Sequence, residues 1–144
     1  MIEPTPNVLY ADLESRLGPR IIVQQMIPDS VELLLGVVND PQFGPMLVIG
    51  LGGIFVEVLN DRRLVVLPPS RLAIKEALFN LRGAAMLNEV RGRPAADVEA
   101  VVEAAIRLSA LALDLGDRLT AIDINPLIVL PHGAVAVDAL IVPL

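Results

Sequence analysis

With 144 residues, 54% of them hydrophobic, the chain is long enough for one domain with a buried core, and its apolar fraction indicates a surface that another body covers. The net charge of −6 disfavours electrostatic binding to nucleic acid or to an anionic membrane, and the absence of cysteine excludes disulfides and thiolate metal sites. The longest uncharged run, Pro41 to Val56, is broken by glycines and a proline and is shorter than the roughly 20 apolar residues of a membrane span, so we expect a cytoplasmic protein.

The N-terminal part is predicted to form a helix and then a strand. Apolar residues in NVLYADLESRLG recur near helical spacing, and Gly18 stands where a glycine C-cap is expected. The first residues are acidic and contain proline, which is not the pattern of a secretory signal. The next segment, RIIVQQMI at residues 20–27, is rich in β-branched residues and is bounded by Pro19 and Pro28, which predicts a strand.

Four further β segments are predicted before the main helices. SVELLLGVVND and GPMLVIGLG have the composition of two buried strands in one hairpin, joined by turn-forming residues at 40–44. GIFVEVLND and RLVVLPP are predicted to form a second pair, joined around Asn60 and Asp61. The glycines at 50, 52 and 53 either let the backbone approach a ligand closely or mark a bulge or tight turn, which is the ordinary interpretation of an isolated GxGG.

Two helices follow these strands. In SRLAIKEALFNLRG the apolar residues form one helical stripe, with Ser70 as the N-cap and Gly83 as the stop. RPAADVEAVVEAAIRLSALALDLG is predicted to be a helix of about five turns that begins near Pro94 and ends at Gly116. Strands, two main helices and a final hairpin together predict an α+β fold, with a mostly antiparallel sheet packed against the helices.

The final segment, AIDINPLIVLPHGAVAVDALIV, places three oxygen-bearing side chains in an apolar hairpin. Asp123 and Asn125 share a strand face, and a turn at 130–133 brings Asp138 within one residue of the position opposite Asn125. Because cross-strand Cβ atoms lie roughly 4.5–5.5 Å apart, the Asn125 amide oxygen and the Asp138 carboxylate can share a hard cation such as Mg²⁺, which prefers oxygen ligands. The alternative is that they are ordinary solvated residues beside a turn-forming Asn-Pro. Glu57 ends another apolar run, either as a solvated strand residue or as a further oxygen donor.

Three segments carry a resemblance to a known family: GVVNDPQFGPMLVIGLGGIFVEVL, LRGAAMLNEVRGRP and DINPLIVLPHGAVAVDA. In this order they strongly resemble the C-terminal half of the ATP-grasp domain in NDP-forming acyl-CoA synthetases, which are relatives of succinyl-CoA synthetase. The resemblance covers about residues 20–142 and implies a lead-in at 1–19 and an ATP-grasp C-terminal lobe at 20–144. In that family an acyl-CoA and phosphate react through an acyl phosphate and a phosphohistidine, and the phosphoryl group passes to ADP.

The resemblance also implies a metal site and the cofactors Mg²⁺ and ATP or ADP. Asn125 and Asp138 match the magnesium ligands of the family, and they are the same pair that the hairpin geometry brings together. Asp123 matches an acid that supports them. His132, the one histidine of the chain, matches no phosphohistidine and is expected to be a solvated turn residue.

The nucleotide contacts are implied for VQQMIPDSVE and for one acid downstream of it. Gln25 and Ile27 would meet adenine through a backbone carbonyl and amide, Met26 would lie near the ring, and Glu32 would accept the ribose hydroxyls. Glu57 matches a position close to the phosphates. The alternative for the first four residues is an ordinary buried strand.

The resemblance further implies partners that this sequence does not contain. The first half of the ATP-grasp domain, with its lysine and glycine-rich loop, and the CoA-binding and ligase domains are expected in the same chain or in a partner subunit, and an oligomer is compatible with this arrangement. The favoured function is the nucleotide- and magnesium-binding lobe of an acyl-CoA synthetase, with the chain alone inactive. Two alternatives stay open: a ligand-sensing lobe of a protein acetyltransferase, and a structural lobe without activity.

Overall fold

The structure, a computed structural model, describes residues 6–22, 24–27, 30–53, 61–90 and 92–144. In this part of the chain, no helix combines the length and the apolar character that crossing a membrane would require. The helices and strands, in chain order, are α1 (Pro6–Leu17), β1 (Val31–Asp40), β2 (Gly44–Leu51), β3 (Arg62–Val66), α2 (Arg71–Phe79), a 3₁₀ helix (Ala84–Leu87), α3 (Val98–Leu115), a second 3₁₀ helix (Gly116–Arg118), β4 (Leu119–Val129), β5 (Ala134–Ala136) and β6 (Ala139–Pro143).

The strands of the described residues form one six-stranded sheet in the order β3-β2-β1-β4-β5, and β6 also pairs with β4. Every pairing in it is antiparallel. Strands β5 and β6 lie end to end along the same edge of β4, because the pairs Leu127↔Ala136 and Ile124↔Ala139 belong to one continuous register. The predicted α+β fold with a mostly antiparallel sheet is therefore confirmed.

The core lies between one face of the sheet and helices α2 and α3. On β1 the alternating residues Leu33, Leu35 and Val37 are buried, and they pack in one cluster with residues of both helices, among them Ile74, Leu78, Val101, Val102 and Ala105. The other residues of β1, which are Glu32, Leu34, Gly36 and Val38, project from the opposite side of the sheet because strand side chains alternate. We call this side the open face, since Leu64, Val66 and Leu140 on it are each more than half exposed.

The helix boundaries follow from their caps. The Ser70 hydroxyl accepts a hydrogen bond from the Ala73 N–H, so the predicted N-cap of α2 is confirmed, but α2 ends at Phe79 and not at Gly83. Helix α3 begins at Val98 and not near Pro94, because the Asp97 side chain caps it by accepting from Ala100 N–H.

The predicted strand at residues 20–27 is wrong for the residues that the structure describes there, which have no helix or strand. Ile22 is 84% exposed and Met26 is 89% exposed, and none of the strands among the described residues pairs with this segment. Strand propensity reflects packing against neighbours more than a backbone preference, which explains the error. The predicted partner of β3, GIFVEVLND, lies mostly outside the described residues, at 54–60, and β3 itself pairs with β2.

Candidate functional site

Asn125 and Asp138 face each other across the final hairpin. Ile124 pairs with Ala139, the first residue of β6, and the same register continued by one residue puts Asn125 opposite Asp138, which lies between β5 and β6. The Asn125 N–H donates to the Asp138 carbonyl oxygen at 3.3 Å, which ties the two residues together directly. Both are exposed, and side chains that are directly opposite in an antiparallel pair share one face. The register predicted from the turn at 130–133 is therefore observed.

Asp123 lies on the open face two residues before Asn125. It pairs with Leu140 on one side and with Gly36 on the other. A Cβ built on Gly36 would lie 3.6 Å from Asp123 Oδ1 and only 2.7 Å from the carbonyl oxygen of Ile122. The glycine therefore leaves room for the Asp123 carboxylate and for close approach of β4, which is a common reason for glycine inside a strand.

Glu32 lies at the start of β1, on the same open face, and it is exposed. The glycine-rich turn after β2 packs against it: the Gly52 N–H donates to the Glu32 carbonyl oxygen at 2.7 Å. At Gly53 the backbone has φ of +71°, and a Cβ there would lie 2.7 Å from Glu32 Oε2. These glycines thus allow a close backbone approach to Glu32. The structure brings Glu32 onto one face with Asp123, while its role as a ribose ligand stays a prediction.

The structure gives less information on the other residues that were predicted to bind the nucleotide. Gln25, Met26 and Ile27 lie in an irregular segment ahead of β1, with Ile27 half-buried and the other two exposed. Their roles at the adenine ring stay predictions. Glu57 lies outside the described residues, and its proposed position near the phosphates also stays a prediction.

The donor set of the hairpin suits magnesium. In the described ranges no three Asp, Glu, His or Cys side chains gather into a metal cage, so the hairpin offers one amide oxygen and the carboxylates of Asp123 and Asp138. The Asp138 Oδ1 accepts a hydrogen bond from the Ala139 N–H at 2.8 Å, which orients that carboxylate. Magnesium keeps several waters and binds proteins through one or two carboxylates plus substrate phosphates, so these residues fit a magnesium–nucleotide complex. Their role as ligands stays a prediction.

Asp97, which the sequence did not single out, supports the turn of the final hairpin. Its carboxylate accepts from the Ala100 N–H at 3.0 Å and from the Gly133 N–H at 2.8 Å, so it connects α3 to the turn of the final hairpin. The Gly133 bond, followed by the Ala100 bond, lowers the pKa of the Asp97 carboxyl, and the nearby His132 acts in the same direction. An aspartate just ahead of a helical apolar run is a cap signature, which could have revealed its contact with Ala100 but not the one with Gly133.

A family model described as an ATP-grasp domain matches residues 11–142 of the chain. The chain is 36% identical over 124 residues to the beta subunit of acetate–CoA ligase (ADP-forming) II from Pyrococcus furiosus, which covers 85% of this chain and 52% of that relative. It is also 36% identical over 118 residues to acetate–CoA ligase (ADP-forming) I from Archaeoglobus fulgidus, covering 82% of this chain and 17% of the relative. The chain therefore spans only about half of the first relative and about a sixth of the second.

The fold also matches a solved structure. The dinucleotide-forming acetyl-coenzyme A synthetase 1 of Ca. Korarchaeum cryptofilum matches the fold with a TM-score of 0.77 at 35% sequence identity, covering 83% of this chain and 55% of that chain. That protein was solved with coenzyme A and Mg-AMPPCP, and with a phosphohistidine segment that points towards the nucleotide binding site.

Proposed function

The chain belongs to the ATP-grasp family, and on that premise we propose that it is the nucleotide- and magnesium-binding lobe of an NDP-forming acyl-CoA synthetase. The observation that carries the proposal is the pairing of Asn125 opposite Asp138 at the open face of the sheet, which also holds Glu32. The similarity to ADP-forming acetate–CoA ligases supports acid–thiol ligase chemistry, in which a phosphoryl group passes between a nucleotide and an acyl phosphate or phosphohistidine.

Asn125 and Asp138 would hold the magnesium ion, and Asp123 would orient and support them. When bound, the ion neutralises the negative charge of the phosphates. This need is strong here, because a chain of net charge −6 repels a polyphosphate unless a cation offsets the repulsion. Opposite positions in an antiparallel pair keep the two Cβ atoms roughly 4.5–5.5 Å apart, so the backbone would already bring both side chains within reach of one ion.

The remaining residues would position the nucleotide. We place the ribose hydroxyls at Glu32, and we place adenine along the backbone of Gln25 and Ile27 with Met26 beside the ring. Glu57 would lie close to the phosphates. Phosphoryl transfer demands little covalent chemistry from a protein, so holding the nucleotide in place is the main task of these groups.

The partners of this lobe would be the first half of the ATP-grasp domain and the CoA-binding and ligase domains, in the same chain or in another subunit. The part of the relatives' length that this chain does not span supports this proposal. So do the exposed apolar residues Leu64, Val66 and Leu140, because an apolar open face is a surface suited to a second body.

The test compares Asp138→Asn with Asp117→Asn in titrations of ADP with and without Mg²⁺. Both substitutions remove one negative charge, but Asp117 is an exposed residue of the 3₁₀ helix before β4, away from Asn125 along the strand. We expect Asp138→Asn to weaken magnesium-dependent ADP binding by about 10-fold or more, which is the scale on which even residues that only support metal ligands act. Asp117→Asn should leave the binding unchanged.

Equal magnesium dependence in wild type and Asp138→Asn would contradict the proposal. Equal weakening by Asp138→Asn and Asp117→Asn would also contradict it, since the effect would then come from net charge and not from a ligand at the hairpin.

A further inference from the structure

We propose that Asp97 is a positioning residue that holds the final hairpin in the register that Asn125 and Asp138 need. The inference rests on the proposed function, because it names a residue that would act through those two. Asp97 uses three groups at once: Oδ1 accepts from the Ala100 N–H, Oδ2 accepts from the Gly133 N–H, and its own N–H donates to the Leu130 carbonyl at 2.9 Å.

These contacts hold both ends of the hairpin turn. Leu130 and Gly133 are its first and last residues, and the Leu130 N–H donates to the Gly133 carbonyl at 3.0 Å. Gly133 has φ of +91°, a conformation that glycine adopts without steric cost. Because Asp97 bonds to the backbone of both residues, the N-terminus of α3 fixes where the chain reverses direction.

The position of the turn determines which residues of the two hairpin strands lie opposite each other. Asn125 comes five residues before Leu130, and Asp138 comes five residues after Gly133. The pairs between the turn and the site, Leu127↔Ala136, Ile128↔Val135 and Val129↔Ala134, run in one unbroken register. A slip of one residue in such a pairing moves a side chain to the other face of the sheet, so a displaced turn would separate the two site residues.

Asp97 is suited to this task as an ionised group. A carboxylate that accepts backbone N–H bonds forms charge-assisted hydrogen bonds, which are stronger than neutral ones. The lowered pKa of Asp97, caused first by the Gly133 bond, agrees with a carboxylate that stays ionised in the folded protein. Among the common N-cap side chains, which are serine, threonine, asparagine and aspartate, only aspartate offers two acceptor oxygens for two backbone donors.

The substitution Asp97→Ser separates the turn contact from ordinary helix capping. Serine is about as good an N-cap as aspartate, but its one oxygen replaces only Oδ1 at the Ala100 N–H and leaves no acceptor where Oδ2 meets the Gly133 N–H. The matched control is Ser70→Ala, which removes the N-cap of α2, a helix whose cap bonds to Ala73 and not to the hairpin. Asp97→Asn serves as a second variant, because its amide keeps one acceptor and places a donor against the other backbone N–H.

Amide hydrogen exchange of the hairpin is the readout that does not depend on any ligand. The Leu130, Asn125 and Val137 N–H groups each bond across the hairpin, whereas Val37 in β1 reports the rest of the sheet. Relative to Val37, we expect Asp97→Ser to speed exchange of the three hairpin amides by about 10-fold, and to weaken magnesium-dependent ADP binding by about 10-fold, as loss of groups that orient metal ligands does. Ser70→Ala should change neither the exchange of the hairpin amides relative to Val37 nor the magnesium-dependent binding of ADP.

Unchanged hairpin exchange in Asp97→Ser and Asp97→Asn would overturn the inference. Faster exchange with unchanged ADP binding, in a protein whose binding Asp138→Asn does weaken, would also overturn it, because the turn contact would then not position the site. If the wild type binds no ADP with magnesium, the proposed function fails. The exchange ratios then decide alone whether Asp97 holds the register.

Discussion

At the scale of single residues, Gly36 determines what the centre of the sheet can hold. The space that its missing Cβ would occupy lies 2.7 Å from the Ile122 carbonyl oxygen and 3.6 Å from the Asp123 carboxylate. Real Cβ atoms do not approach a backbone oxygen so closely, so the glycine is required by the approach of β4. The backbone of Gly36 itself is ordinary extended strand, and the restriction is one of space.

We therefore expect Gly36→Ala to push β1 and β4 apart. Forcing an extra methyl group into a well-packed site costs about 1–3 kcal/mol in the free energy of unfolding. Because Asp123 lies against this position, magnesium-dependent ADP binding should weaken as well. Urea denaturation and ADP titration of the purified variant measure the two effects. A variant with wild-type stability would show that β1 and β4 accommodate the extra methyl group without moving apart.

The residues of the site could be predicted from the sequence only where the geometry is local. Asn125 opposite Asp138 follows from strand alternation and from the length of one turn, and both are visible in the sequence. The contact of Gly36 with Asp123 depends on which distant strand lies beside β1, and the contact of Asp97 with Gly133 joins positions 36 residues apart. Such pairings are set by the assembled fold, so a single sequence does not reveal them.

At the scale of elements, Asp61 connects the sheet to the helical layer. Its carboxylate accepts from the Gly83 N–H at 3.1 Å, and Arg63 pairs with it at 3.4 Å. Its side chain is only 1% exposed, so the bond replaces water that this group would otherwise bind. The start of β3 is thereby attached to the segment that follows α2.

Asp61→Ala should destabilise the protein by about 1–3 kcal/mol, because it removes the acceptor of the Gly83 N–H inside the fold. Asp61→Asn keeps the size of the side chain and one acceptor oxygen, so its loss of stability should be smaller. The free energies of unfolding of both variants, from urea titrations, check this order. If Asp61→Ala were no less stable than Asp61→Asn, the bond to Gly83 would not hold these elements together.

The elements with strong periodicity or clear caps were predictable. The hairpin of β1 and β2, helix α3 and the final hairpin all follow from buried apolar patterns between turn-forming residues. The segment at 20–27 was mispredicted because its β-branched residues indicate a strand only when another strand bonds to their backbone. Helix α2 ends at Phe79, ahead of the predicted stop at Gly83, and turns lead from there into the 3₁₀ helix Ala84–Leu87.

At the scale of the whole molecule, the exposed apolar surface and the acidic charge agree with a lobe that works against another body. Leu64, Val66 and Leu140 leave the open face partly apolar, and Leu140 lies directly beside Asp123 of the final hairpin. Covering a surface of this kind lowers the free energy, because apolar side chains are removed from water. The proposed function assigns both the nucleotide and the first half of the ATP-grasp domain to this face.

We expect the 144-residue chain alone to form no acyl-CoA from an acid, CoA and ATP. Its one histidine, His132, is exposed in the turn of the final hairpin, and its assignment as a solvated residue and not a phosphohistidine stays a prediction. The chain spans 52% of the Pyrococcus furiosus beta subunit, and under the proposed function the lysine and glycine-rich loop that close over the phosphates would come from the part that it does not span. An assay of acyl-CoA formation with the purified chain checks this expectation, and turnover above the rate without protein would contradict it.

The central claim, that the final hairpin holds a divalent cation with the nucleotide, is tested most directly by paramagnetic broadening. Mn²⁺ accepts the same oxygen ligands as Mg²⁺, and it broadens the NMR signals of nearby amides when added with ADP to the isotope-labelled chain. We expect the amides of residues 123–125 and 138–140 to broaden first, and we expect Asp138→Asn to abolish this effect. Broadening centred on the acidic surface of α3 around Glu99 and Glu103, with the hairpin signals unchanged, would contradict it.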